Sequence, residues 1–167
     1  MRSTLILIAI MGLAFAKAYS QQPINTDSTT VEKSVSEPVH EKQMPDEAVK
    51  EFFRYFHIKD TLAMRNMMVE GASLNTLIIS ASKGKRIQSS SINEFLKGIA
   101  QIPDSLSFEE RLIQIKVTNS VDIATVNTMY EFYMNDGFTH NGVNVFTMVY
   151  IDDKWKITSI ADTRQYP

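Results

Sequence analysis

The sequence predicts an α+β domain, on three observations. The last third, Ala124 to Arg164, reads as three long strands hairpinned in succession. Two stretches ahead of it carry apolar residues at helical spacing, and no unit of about 20 to 50 residues recurs. Helices gathered on one side of an antiparallel sheet bury the apolar faces of both.

The chain has 167 residues, no cysteine and a formal charge of −2, which suits one compact domain once its N-terminal region is set apart. Residues 1–20 join a basic start at Arg2, an apolar run from Leu5 to Ala16 and small residues at Ala18 and Ser20, the pattern of a secretory signal peptide. That run is too short for a spanning helix, so the mature protein is expected to be secreted or periplasmic, with no membrane contact after cleavage. Loss of Arg2 and Lys17 takes the charge from −2 to −4, and nothing here suits nucleic acid. Export without cysteine excludes disulfides and a lipid-modified cysteine. Residues 21–44 are rich in Ser, Thr, Glu and Lys without an aromatic, a composition too polar to order itself, and read as a flexible linker. The domain proper is expected over 45–167.

Pro45-Asp46-Glu47 marks a helix start, with proline in the first turn and two acids at the positive end of the dipole. Val49, Phe52, Phe53 and Phe56 then form one apolar stripe, with Tyr55 at its margin and His57 at its end. Asp60 can cap a short second helix whose Met64, Met67 and Met68 supply apolar bulk. Leu74 to Ala81 reads as a strand turned at Lys83-Gly84-Lys85 into a shorter partner. Ser91 and Glu94 have capping-box spacing, and the third helix runs from there until Pro103 stops it. Phe108 to Thr118 returns to a strand, with Ile113, Ile115 and Val117 on one side.

In the last third, Asn135-Asp136-Gly137 suits a three-residue hairpin loop with Gly137 in the left-handed region, a register that sets Met134 opposite Phe138. Phe132 then faces His140, Tyr130 faces Gly142, Thr128 faces Asn144 and Val126 faces Phe146, all on one inner face. A four-residue loop over Ile151–Lys154 pairs Tyr150 with Trp155 and Met148 with Ile157, which brings Trp155 to the same face. Tyr130, His140 and Asn144 stand close together on this otherwise apolar face, as a hydrogen-bonded cluster or a lined cavity would require. Glu131, Asn141 and Arg164 are expected in a polar ladder on the outer face, with Asp162 also outside. Val143, Val145, Val149 and Ile160 beside that ladder leave an apolar outer surface, the expected seat of a homodimer.

FFRYFHIKDTLAMRNMM and HNGVNVFTMVYIDDKWKITSIADTR, at the two ends of the ordered region, resemble the nuclear transport factor 2-like superfamily. That is the SnoaL and ketosteroid-isomerase type of cone fold. The resemblance covers about residues 46–164, and the closing segment is similar to that of small exported bacterial members, some of the lumazine-binding type. It implies a cone-shaped, curved antiparallel sheet of about five or six strands with three helices on its concave side. It also favours dimers formed sheet to sheet. Enzymes of the superfamily place a carboxylate or histidine in the cone beside tyrosine or asparagine donors. The three long strands offer His140, Tyr130 and Asn144 there but no acid.

Three functional readings stay open. The cone binds a small apolar or aromatic molecule, with Tyr55, Thr128, Tyr130, His140, Asn144 and Trp155 as contacts. It is a lyase, isomerase or hydrolase with His140 as catalytic general base and Tyr130 or Asn144 polarising a carbonyl. Or the cone is filled by side chains and the domain serves interaction alone. No motif for a metal, a nucleotide or another cofactor is present, and none is expected.

Overall fold

A computed structural model describes residues 42–167, so the expected signal peptide and nearly all of the expected linker lie outside the described residues. Three helices and six strands follow in the order α1 (Pro45–His57), α2 (Thr61–Asn66), β1 (Met68–Ser80), β2 (Gly84–Ser91), α3 (Ile92–Ala100), β3 (Phe108–Ser120), β4 (Ile123–Met134), β5 (Gly137–Ile151) and β6 (Lys154–Gln165). The strands form one curved, open sheet in the order β2-β1-β6-β5-β4-β3. Its five neighbour pairs are antiparallel except for β1 beside β6, so the sheet is mixed and not wholly antiparallel as expected. The parallel pair arises because the first strand, after its hairpin with β2, is joined laterally by the last.

Local sequence accounts for the helix ends. Glu47 Oε2 accepts from the Met44 amide at 3.2 Å, Asp60 caps α2 through the Ala63 amide at 2.9 Å, and Ser91 and Glu94 close a reciprocal capping box. The α1 stripe packs onto the sheet through Phe52 and Phe53, whose rings meet Phe146 of β5 edge-on with centroids 5.7 Å apart. Phe56 meets Phe108 of β3 at 4.9 Å. α1 thus lies over β3 and β4, α3 lies over β1 and β2, and the core sits between helices and sheet.

The sheet has four register irregularities, one of them on β1 between Met68 and Ser73, and the three on β3, β5 and β6 decide which of their side chains reach that core. On β5, Thr139 is the extra residue. The hairpin turn is Asn135-Asp136 alone, with positive φ at both residues (46° and 62°), and Met134 pairs with Gly137 rather than Phe138. Gly137 is therefore not the left-handed residue, but the Thr139 bulge restores the register, so Phe132 opposite His140, Tyr130 opposite Gly142 and Thr128 opposite Asn144 all stand. The last hairpin likewise turns on two residues, Asp152 and Asp153, both at positive φ, and keeps Tyr150 opposite Trp155.

The other two bulges overturn expectations. Thr158 is extra on β6, so Ile160, Asp162 and Arg164 shift to the inner face; the expected outer ladder loses Arg164, and the outer surface loses Ile160. Ile113 is extra on β3 and 60% exposed, while Leu112 ahead of it and Ile115 and Val117 after it pack toward the core. Ahead of this bulge the inward positions are even-numbered, which turns Glu110 inward with Phe108.

Candidate functional site

The cone is not filled. A cavity of about 510 Å³ lies between helices and sheet, within the usual range for small-molecule sites. The helices roof it with apolar groups, chiefly Phe52, Phe53 and Phe56 of α1 and Phe95 and Ile99 of α3. Its floor is the sheet, and there polar side chains converge from four strands: Glu110 of β3, Tyr130 of β4, His140 and Asn144 of β5, Asp162 and Arg164 of β6.

Each polar group on the floor is held by a partner, which decides what it can still offer. The Asn144 amide donates both hydrogens, to Glu110 Oε1 at 2.7 Å and to Thr128 Oγ1 at 3.0 Å, so only its carbonyl remains free to accept. Tyr130 donates its hydroxyl proton to the Thr163 carbonyl at 2.8 Å. Thr139 Oγ1 donates to the Phe132 carbonyl at 3.0 Å and lies 2.9 Å from His140 Nδ1. A hydroxyl has one proton, so His140 must be the donor of that second bond; its proton sits on Nδ1 and Nε2 is a bare acceptor. The ring stacks on Phe132 and tilts against Tyr166, each with centroids 4.9 Å away. Asp162 accepts from Thr76 Oγ1 at 2.5 Å and from Arg164 Nε at 3.1 Å.

Electrostatics follow from the same surroundings. Burial pushes Glu110 up to about 7, with Asp162 adding to the rise, while the Asn144 bond and Arg164 oppose it. Burial, with the Arg164 charge nearby, holds His140 down at about 4, so its imidazole is neutral at neutral pH. His57 at the end of α1 is lowered by burial too, and its Nε2 accepts from the Glu110 amide at 3.0 Å, fixing the backbone that carries the carboxyl. Burial acts to lower Arg164, but Asp162 outweighs it and keeps the guanidinium charged. Burial raises Tyr130, with Glu110 and Asp162 adding to it.

Of the residues singled out from sequence, the structure brings Tyr130, His140 and Asn144 to the cavity wall. Thr128 is fully buried behind Asn144 and supports it. Tyr55 and Trp155 do not reach this cavity. They line a separate cleft beside Tyr150 and Lys156, where the Trp155 indole donates to the Gln43 carbonyl at 2.8 Å and Tyr55 donates to Glu51 at 2.9 Å. Sequence reasoning missed Glu110, Asp162 and Arg164. Glu110 could have been found by counting alternation backwards to Phe108 rather than forwards from Ile113; no feature of the β6 sequence marks the Thr158 bulge.

No family model and no curated protein sequence matches the chain. Solved structures do. A nuclear transport factor 2-like protein with a cystatin-like fold from Novosphingobium aromaticivorans superposes with a TM-score of 0.54 at 15% identity, over 71% of this chain and 77% of its own. A provisionally assigned dehydratase of the same family from Streptomyces avermitilis gives 0.53 at 15% identity over 71% and 91%. The beta subunit of a provisionally assigned aromatic-ring-hydroxylating dioxygenase, also from Novosphingobium aromaticivorans, gives 0.58 at 8% identity over 73% and 87%. At such identities the likeness is one of fold. With its curved open sheet, roofing helices and internal cavity, the chain has the nuclear transport factor 2-like cone fold that its opening helices and closing strands resemble.

Proposed function

We propose that this domain binds a small, largely apolar molecule in the cone, with the phenylalanine roof against its hydrocarbon part and the sheet floor against a polar group. The observation that carries the reading is the cavity itself: about 510 Å³ of space bounded by aromatic rings and by convergent polar side chains. A filled cone would leave no such volume.

Gly98 of α3 offers a test that spares the floor. It lies exposed at the edge of the cavity, and a Cβ built there meets nothing within 4 Å, so a leucine side chain can cover the opening without displacing the wall. Gly98→Leu is expected to keep or raise the melting temperature, since glycine costs a helix about 1 kcal/mol, and to abolish uptake of a hydrophobic fluorophore or of any molecule seen by native mass spectrometry. A wild-type protein that takes up neither would end the binding reading.

One observation favours catalysis as a second reading: Glu110 is poised near 7, where a carboxyl can both take and return a proton. It shifts the general base from His140, which is neutral but weakly basic at about 4, to Glu110. Tyr130 and Asn144, whose protons are committed, are not free to polarise a carbonyl. The chemistry this suits is proton abstraction beside a carbonyl, leading to isomerisation or elimination. Turnover of the bound molecule, lost in Glu110→Gln, is the expected result; binding without turnover would leave the module reading alone. The domain is proposed to act outside the cytoplasm, on the signal-like composition of residues 1–20. Recovery of the protein from the cytoplasm alone would overturn that, and exported protein whose N-terminal sequence begins at Met1 would overturn cleavage near Ser20.

A further inference from the structure

We propose that the cavity is built for an aromatic carboxylate, its anionic group bound end-on by Arg164 and its ring held under the phenylalanines of α1 and α3. This rests on the binding reading above and names the ligand's chemistry.

Recognition of an anion turns on which donors are free and which of those is charged: Gln88, Ser90 and Tyr166 also line the cavity, and their side-chain donors are unspent but neutral. Tyr130, Asn144 and His140 each spend their protons on the protein, so none can donate to a ligand's oxygen without breaking a bond. Arg164 is different. It bonds Asp162 through Nε alone, and its two terminal nitrogens, Nη1 and Nη2, meet no acceptor among the described residues. Asp162 is itself locked, with Oδ1 taken by Thr76 and Oδ2 by Arg164, so it fixes the plane of the guanidinium and does not compete for its far edge. A planar pair of N–H donors on the wall of an aromatic-lined cavity matches a carboxylate in both geometry and charge.

The charges on the floor add a second feature. Asp162 and Arg164 neutralise one another, so a bound anion brings one uncompensated negative charge. Glu110 faces Asp162 and Arg164 of β6, Tyr130 of β4, Asn144 and the neutral His140 of β5, with His57 of α1 at its backbone and Glu94 of α3 and Tyr166 also on the cavity wall. Burial raises Glu110 to about 7, and an anion beside it favours its protonated form, so binding takes up a proton there. A protonated Glu110 can also donate to the ligand through the oxygen that does not accept from Asn144.

The test compares 2-naphthoate with 2-naphthamide by isothermal titration calorimetry on the purified domain. Naphthoate is expected to bind at least about tenfold tighter at pH 6, and its affinity to fall about tenfold between pH 6 and pH 8 while that of the amide stays level. Arg164→Gln should erase the preference for the acid. Arg164→Lys, which keeps the charge without the fork, should retain part of it, and the wild-type pH profile tests the idea even if neither variant folds. Equal affinity for acid and amide, or a preference that survives in folded Arg164→Gln, overturns the carboxylate assignment and leaves the binding reading standing. If neither compound nor a hydrophobic fluorophore binds, the binding reading falls and this proposal with it.

Discussion

Glu110→Gln is the perturbation whose outcome the structure fixes most tightly. In the unfolded chain this carboxyl has its ordinary value of 4.5; in the fold, burial raises it to about 7. A raised acid stabilises the folded state while protonated: its contribution is complete below the unfolded value and is lost as pH rises through the folded one. The gap of about 2.5 pH units corresponds to about 3 kcal/mol, the penalty for holding the carboxylate buried above pH 7. Glutamine keeps an oxygen to accept from Asn144 and cannot ionise, so the variant escapes that penalty without opening the network. Chemical denaturation of both proteins should therefore show near-equal stability at pH 4.5 and a variant more stable by about 2–3 kcal/mol at pH 8, most of the change falling between pH 5 and 7. Taking the difference between the two proteins cancels the opposite titration of His57 and His140, which favour the fold as pH rises. A difference that does not vary with pH, or a variant less stable at pH 8, would refute the placement of Glu110 in a desolvated floor.

Further outcomes can be checked directly. His140→Gln should cost about 1–3 kcal/mol, since the ring is 6% exposed, stacked on Phe132 and bonded to Thr139, and it should remove the part of acid destabilisation that sets in as pH falls from 6.5 toward 4; an unchanged denaturation midpoint would place the ring in a non-structural role. At Gly142 a Cβ would lie 1.8 Å from the Thr163 carbonyl oxygen and 2.9 Å from the Tyr130 ring, so Gly142→Ala must push β5 from β6 and break the Tyr130 bond. It should lose about 1–3 kcal/mol or more, and a wild-type midpoint would refute the close approach. A homodimer through the outer sheet face is expected from the apolar surface that Leu77, Ile87, Val143 and Val145 present there, Ile87 being 73% exposed. A sedimentation mass of one chain at tens of micromolar would count against it.

What could be read in advance divides along the sheet by a physical rule. Alternation fixes a side chain's face as long as no residue is inserted, so Val126 to Phe132 and the β5 residues opposite them were legible from their pattern and the nearby turn. The turn is one residue shorter than Asn135-Asp136-Gly137 predicts and the Thr139 bulge adds one residue back, so the two shifts cancel. Helix signals were stronger still, because caps and the Phe52, Phe53, Phe56 stripe are local and survive any rearrangement of strands.

The bulges at Ile113 and Thr158 have no such local signature, and they decide the chemistry of the site. Without the first, counting from Ile113, Ile115 and Val117 turns Glu110 to the outer face; without the second, Asp162 and Arg164 stand outside as an ion pair on a solvated sheet. The inner floor would then hold Tyr130, His140 and Asn144 among hydrocarbons, a self-satisfying polar cluster with no charge to offer a ligand. Each insertion costs a ladder position, yet Thr158 recovers one bond by donating from Oγ1 to the Thr147 carbonyl at 3.0 Å. The three ionisable groups that make the cavity more than an apolar void thus arrive through departures from regular pairing, on the strands flanking the β4–β5 hairpin. That hairpin supplies the partners, with Asn144 binding Glu110 and Tyr130 bonding the carbonyl of Thr163 between Asp162 and Arg164. Regular strands build the frame and irregular ones charge it, which is why periodicity alone finds the first and overlooks the second.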